Sequence, residues 1–221
     1  LVKGEQIAIF GNYDVDGATS SALLKRFFRA LGVKLDVYIP DRVKEGYGPT
    51  TAAFKRLLSR GAELVLTVDC GATAYDPLEF AKEAGLDVIV LDHHSSGPSN
   101  PECFALVNPN RIDDNSGQGM LAAVGVVFLF LIALNRALRR CGFFSNTKEP
   151  NLLDWLDLVA LGTIADLVKL DRNANRILII QLFSDHDQKY QQSLLIFNHY
   201  DDFSYHLVDI LENGTVLNYQ S

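Results

Sequence analysis

Hydrophobic and polar positions alternate along the first 110 residues in a strand–helix rhythm. Five short apolar runs have strand length: Ile7–Phe10 within residues 5–11, Leu35–Ile39, Leu64–Val68, Asp87–Leu91 and Phe104–Val107. Between them lie stretches whose apolar residues recur three and four apart, as on one face of a helix. The first, Ala18–Leu31, places Ala22, Leu23, Phe27, Ala30 and Leu31 on that face; Thr50–Ser59 and Asp76–Ala84 follow. Gly32, Gly61 and Gly85 stand where C-terminal stops are expected, and Pro77 lies in a first turn. Parallel neighbours need a crossover, usually a helix. The rhythm therefore predicts an α/β domain, doubly wound, with a mainly parallel five-stranded sheet flanked by helices over residues 1–110.

The pattern changes after the polar connector Arg111–Gly119. Met120–Arg140 and Leu152–Ala165 read as helices joined by a loop over Cys141–Pro150, so residues 111–176 are expected to complete the domain as a helical part. Residues 177–221 show neither period and form an unassigned acidic tail.

Composition narrows the class. The hydrophobic fraction of 48% and mean hydropathy of +0.08 fit a buried core and exclude a mainly disordered chain. The formal net charge of −7 is uneven. Residues 1–176 carry 19 basic and 21 acidic side chains, whereas 177–221 carry one and six. The body is thus nearly neutral, which leaves room for a local basic groove. Cys70, Cys103 and Cys141 are sparse and odd in number, a pattern of free thiols in a reducing compartment. The longest apolar run, Met120–Leu134, is 15 residues, short for a membrane span. No basic stretch followed by an apolar one opens the chain. The expectation is a cytoplasmic protein with no membrane partner.

Three of the strands end in ligand-type residues. Asn12-Tyr13-Asp14-Val15-Asp16-Gly17 follows the first, Asp69-Cys70-Gly71 the third and Asp92-His93-His94 the fourth. Ligands of open parallel sheets sit outside the carboxyl ends of the strands, where Asp14, Asp16, Asp69 and His93 would converge. Each motif alone is weak: Asp-x-Asp-Gly is often only a turn, and adjacent histidines are often solvated. Together they favour a site for hard divalent cations such as Mg²⁺ or Mn²⁺, which prefer carboxylate and water ligands. A two-ion site about 3.5–4 Å across would clamp a scissile phosphate and activate a bridging water. Asp69 is the natural bridging carboxylate, and His94 is placed to orient phosphate or protonate a leaving oxygen. Asp166 is a fourth candidate acid. Cys70 lacks a local base and reads as a buried structural thiol. His186, His199 and His206 are read as surface residues. No Gly-x-x-x-x-Gly-Lys-Ser/Thr phosphate loop occurs.

Six segments carry a resemblance: residues 9–20 (IFGNYDVDGATS), 40–49 (PDRVKEGYGP), 68–71 (VDCG), 91–94 (LDHH), 107–111 (VNPNR) and 161–166 (LGTIAD). In order and spacing they resemble the DHH phosphoesterases, and within these the RecJ branch of single-strand-specific 5′→3′ DNA exonucleases, over residues 5 to about 176. The resemblance implies a DHH-type domain with Mn²⁺ or Mg²⁺ as cofactor. It implies Asp14, Asp16, Asp69, His93 and Asp166 as metal ligands, with Asn12 as an optional further one. Asp69, His93 and His94 are the implied catalytic residues, with His94 at the phosphate; Arg42, Lys44 and Tyr47 of the Asp41–Pro49 loop, and Arg111, are candidate substrate contacts, a solvated loop being the alternative for the first three. The implied partner is single-stranded DNA, with a single-strand-binding protein and a helicase as further candidates.

Two departures qualify the match. In the RecJ branch the position of Asn12 is usually Asp; a neutral amide is a poorer ligand, so the first metal site is expected to be weakened. Relatives acting on pyrophosphate or short oligonucleotides place a His at the position of Phe10, which favours the RecJ branch. That branch also continues with further strand-gripping domains, and nothing after Arg176 resembles them. Two rivals follow: a non-catalytic remnant or scaffold, and a hydrolase of short oligonucleotides or cyclic dinucleotides.

Overall fold

The structure, a computed structural model, describes residues 4–168. The expected acidic tail and its three histidines lie outside the described residues.

Five parallel strands form one sheet: β1 (Ile7–Gly11), β2 (Asp36–Tyr38), β3 (Leu64–Val68), β4 (Asp87–Leu91) and β5 (Ala105–Val107), in the order β2-β1-β3-β4-β5. The register pairs Gly11 with Val68 and Val68 with Leu91. The residues that follow β1, β3 and β4 therefore leave the sheet side by side. The chain runs outward from β1 in both directions, so the switch point lies between β1 and β3, where such sheets bind ligands.

Helices cover both faces, as the unbroken apolar strands require. On one face α3 (Thr51–Ser59) packs against α4 (Tyr75–Glu83). There Phe54, Leu57, Leu78 and Ala81 meet Ala8, Phe10, Val65, Val88 and Val90 of the strands. On the other face α1 (Val15–Ala30) is gripped by α5 (Ala123–Arg140) and α6 (Leu156–Ala165). The expected helical segment after residue 111 is thus part of the second helical layer. Among the described residues no helix is long and apolar enough to cross a membrane.

Several boundaries differ from the sequence reading. Helix α1 begins at Val15, not Ala18, because Asp14 is its N-cap and accepts a hydrogen bond from the Gly17 amide at 2.9 Å. The Asp-Val-Asp-Gly stretch that reads as a turn is therefore the helix start. The stretch 41–49 is not all loop: Asp41 caps a short helix, α2 (Arg42–Glu45), through the Val43 and Lys44 amides. Likewise 143–145 and 152–155 are 3-10 turns within stretches read as loop and helix. Helix α5 starts at Ala123 rather than Met120, and its capping group comes from elsewhere in the chain.

Candidate metal centre

Asp16, in the first turn of α1, sends its carboxylate to the N-terminus of α5. Its Oδ2 accepts from the Ala123 amide at 2.6 Å and its Oδ1 from Val124 at 2.9 Å. Ala122, the N-cap position, contributes no side-chain hydrogen bond. A buried carboxylate thus supplies the acceptors that a Ser or Asp would provide locally, and the positive end of the helix favours its charge. Gly162 of α6 permits the close approach, since a Cβ there would lie 2.4 Å from Thr19 Oγ1 and 3.0 Å from Asp16 Oδ1. Gly17 does the same on the other side: its Cβ would meet the Asn12 carbonyl oxygen at 2.5 Å.

Asp69 follows β3 and is 1% exposed, with φ at +60°, a conformation costly for a residue with a Cβ. His93 follows β4, and Asp166 caps the C-terminus of α6. These three meet Asp16 around one point. His93 Nε2 lies 3.4 Å from Asp69 Oδ1, 3.5 Å from Asp166 Oδ2 and 3.9 Å from Asp16 Oδ2. Asp69 Oδ1, His93 Nε2 and Asp166 Oδ2 are all buried and have no hydrogen-bond partner. Orphaned buried polar atoms cost roughly 1–3 kcal/mol each, so three converging ones mark a place for a ligand. Carboxylates with a single imidazole are the donor set of a divalent cation such as Mn²⁺ or Mg²⁺, and the residues present fit one.

Electrostatics agree with the crowding. Burial, then the charge of Asp69, pushes the Asp16 carboxyl up to about 7 despite its two backbone donors. Burial likewise raises Asp69. Burial pulls His93 down, but the carboxylates of Asp69, Asp166 and Asp16 outweigh it and lift the imidazole to about 9. In effect the crowded acids favour protons, on themselves or on His93, in the place of a cation.

Asp92 has a different part, which the sequence reading missed. It is 1% exposed, and its Oδ2 accepts from the Ala72 amide at 2.9 Å. Its Oδ1 accepts from the His93 and His94 amides and from His94 Nδ1 at 2.8 Å. Burial alone would raise its pKa, but the His94 and Ala72 hydrogen bonds hold it below the ordinary value. Asp92 therefore fixes the His94 ring with Nδ1 as donor. Asn108 and Asn110 add a second brace, donating to the His94 and His93 carbonyls at 2.8 and 2.6 Å. The Asp in the Asp-His-His triplet was the available signal.

The remaining residues separate into near and far. Tyr47 stacks edge-on against His94, its hydroxyl 3.2 Å from both His94 Nδ1 and the Asp69 carbonyl. The Arg42 guanidinium lies over the Tyr13 ring, 5.3 Å from its centre, beside the loop that carries Asp14. Lys44 is exposed and paired with Asp41. Arg111 is not brought to the cluster by any hydrogen bond: its guanidinium clasps both Asp113 oxygens and donates to the Leu106 carbonyl. Asn12 Nδ2 donates to both Asp14 and Asp69, 2.8 Å each. Cys70 is fully buried, and its thiol donates to the Val68 carbonyl.

The sequence matches the DHH family, N-terminal domain, over residues 6–163. It is 44% identical over 182 residues to the single-stranded-DNA-specific exonuclease RecJ of Escherichia coli (strain K12), covering 81% of this chain and 31% of that protein. To the protein of the same name from Thermus thermophilus it is 38% identical over 170 residues, covering 77% and 24%. The chain thus spans under a third of the length of these curated relatives. The fold matches a crystal structure of exonuclease RecJ bound to manganese with a TM-score of 0.70 at 36% identity, over 83% of this chain and 44% of that one.

Proposed function

The chain belongs to the DHH family, and on that premise we propose that it carries the catalytic site of a metal-dependent phosphodiesterase hydrolysing single-stranded DNA from the 5′ end, in DNA repair and recombination. One observation supports this most: the convergence of Asp69 Oδ1, His93 Nε2 and Asp166 Oδ2, buried and unpartnered, at the carboxyl ends of β3 and β4. The identity to single-stranded-DNA-specific exonucleases supports the substrate class.

In this reading Asp16, Asp69, His93 and Asp166 hold a Mn²⁺ or Mg²⁺ ion, which when bound supplies Lewis acidity toward water and phosphate oxygens. Asp16 is oriented for this by the start of α5, and Asp69 by its strained backbone. His94 stands at the mouth, its side chain 46% exposed, with Nδ1 committed to Asp92. Its Nε2 is then the atom that meets a phosphate oxygen. The hydrogen bond to Asp92 raises its pKa despite partial burial, which suits a group that donates to phosphate or returns a proton to the leaving oxygen. Tyr47 limits the ring's swing. Arg42, steadied over Tyr13, serves the incoming backbone as a cation and Tyr13 and Tyr47 offer stacking faces, the usual grip on single strands. A cytoplasmic setting, with a single-strand-binding protein and a helicase as partners, belongs to the same reading.

The test is Mn²⁺-dependent release of mononucleotides from a 5′-phosphorylated single strand by the purified chain, beside Asp69→Ala. Release lost in Asp69→Ala is the expected result. Cleavage of dinucleotides but not of long strands would replace the substrate assignment with a short-oligonucleotide one. Release that survives Asp69→Ala would remove the site from the reaction.

A further inference from the structure

Asn12 stands between two acids that would otherwise face each other. Its side chain is buried, at 3% exposure, and its Nδ2 spans Asp14 Oδ2 and Asp69 Oδ2 at 2.8 Å each. Its Oδ1 accepts from the Tyr13 amide, also at 2.8 Å. Those three contacts decide which end of the amide points where. The reversed orientation would set an NH₂ against an N–H donor and an amide oxygen against two carboxylates.

The consequence for Asp14 is one donor on each oxygen, as for Asp16, but here one of the two donors is the Asn12 amide that also holds Asp69. One of its oxygens takes the Asn12 amide and the other takes the Gly17 amide at 2.9 Å. Asp69 is divided: Oδ2 takes Asn12, whereas Oδ1 is one of the buried atoms without a partner. Among the described residues, two sets of side chains have donor atoms close enough to share an ion: Asp69 with His93 and His94, and Asp16 with His93 and Asp166. Both contain His93. The buried ligand atoms without a partner, Asp69 Oδ1, His93 Nε2 and Asp166 Oδ2, therefore lie on one side of Asp69, and a hydrogen-bonded amide fills the other.

We infer that this chain binds a single divalent cation tightly, on the His93 side of Asp69, and that the Asn12 amide takes the place of a second ion between Asp14 and Asp69. The inference rests on the metal-site reading above. Two N–H bonds aimed at two carboxylates relieve their repulsion as a bridging cation would, without an ion. A second ion entering there must displace both hydrogen bonds and turn the amide over against the Tyr13 N–H. What it would gain from position 12 is one neutral oxygen, a weaker partner for a hard cation than a carboxylate. A carboxylate at position 12 removes the donors and adds a third acid to the pair, so it should call a second ion in.

The experiment titrates Mn²⁺ into the metal-free full chain, following free Mn²⁺ by electron paramagnetic resonance and heat by calorimetry. The wild type should take up one ion per chain, with any second ion at least about tenfold weaker. Asn12→Asp should take up two with comparable affinity and show the spectrum of a spin-coupled pair, a gain that misfolding cannot imitate. Two equivalent ions in the wild type, or a single ion in Asn12→Asp, would overturn the inference and leave the phosphodiesterase reading standing. No ion in either would overturn both.

Discussion

Asp16 caps a helix that starts 107 residues further along the chain, accepting the Ala123 amide at 2.6 Å. The same carboxylate faces His93 Nε2 at 3.9 Å. One side chain therefore ties the second helical layer to the candidate metal centre.

This shared duty fixes how stability responds to pH. In the metal-free chain Asp16 is raised to about 7, chiefly by burial, and His93 to about 9, where neighbouring acids outweigh burial. Both groups bind protons more tightly folded than unfolded. Their contribution is full below the unfolded values of 3.8 for Asp16 and 6.5 for His93, and is lost as pH rises through 7 and 9. Thermal melts in chelator should therefore show a lower Tm at pH 9 than at pH 6. Added Mn²⁺ should do the opposite, stabilising more at high pH, because the ion competes with those protons. A chelated Tm that rises across this window would contradict the assignment.

Gly162 should be the most sensitive small residue of the layer. An added Cβ would sit 2.4 Å from Thr19 Oγ1 and 2.8 Å from Val124 Cγ1. Gly162→Ala is expected to destabilise by about 1–3 kcal/mol, the range for overpacking a filled core. It should also weaken Mn²⁺ binding by displacing Asp16. Urea denaturation and a Mn²⁺ titration check the two effects separately.

Asp92 acts through His94. Asp92→Asn keeps the volume but replaces one acceptor oxygen with a donor, so the amides of Ala72, His93 and His94 can no longer all be served. Turnover is expected to fall about 10–100-fold, as for other groups that orient a metal-site histidine, and the pH profile should shift because His94 loses the neighbour that raises its pKa. Unchanged turnover and profile would show that His94 needs no brace.

Arg42 carries the prediction about substrate grip. Arg42→Ala should weaken single-strand binding uniformly across sequences and reduce the salt slope by about 0.7, the share of one phosphate contact on a single strand. Fluorescence anisotropy over a KCl series measures it. An unchanged slope would place Arg42 outside the path of the strand.

Much of this architecture was legible because it is periodic. The five strands and the three helices between them follow from apolar spacing, and the clustering of Asp14, Asp16, Asp69 and His93 from their places at strand ends. What escaped depends on contacts remote in sequence. The start of α1 is hidden because Asp-x-Asp-Gly reads as a turn until Asp14 is seen accepting from the Gly17 amide. The start of α5 has no local cap to read, since its cap is Asp16. The pairing of Arg111, a candidate substrate contact, with Asp113 two residues on is likewise seen only in the structure. The mutual arrangement of Asn12, Asp14 and Asp69 depends on β1 and β3 pairing side by side, and only then is the amide seen to point its donors at both acids.

The central claim is that His93 Nε2, Asp69 Oδ1 and Asp166 Oδ2 share a divalent cation. Anomalous diffraction at the manganese edge, from crystals grown with Mn²⁺, addresses it directly. One strong peak is expected within coordination distance of all three atoms. A manganese peak elsewhere, with those three atoms left unliganded, would contradict it.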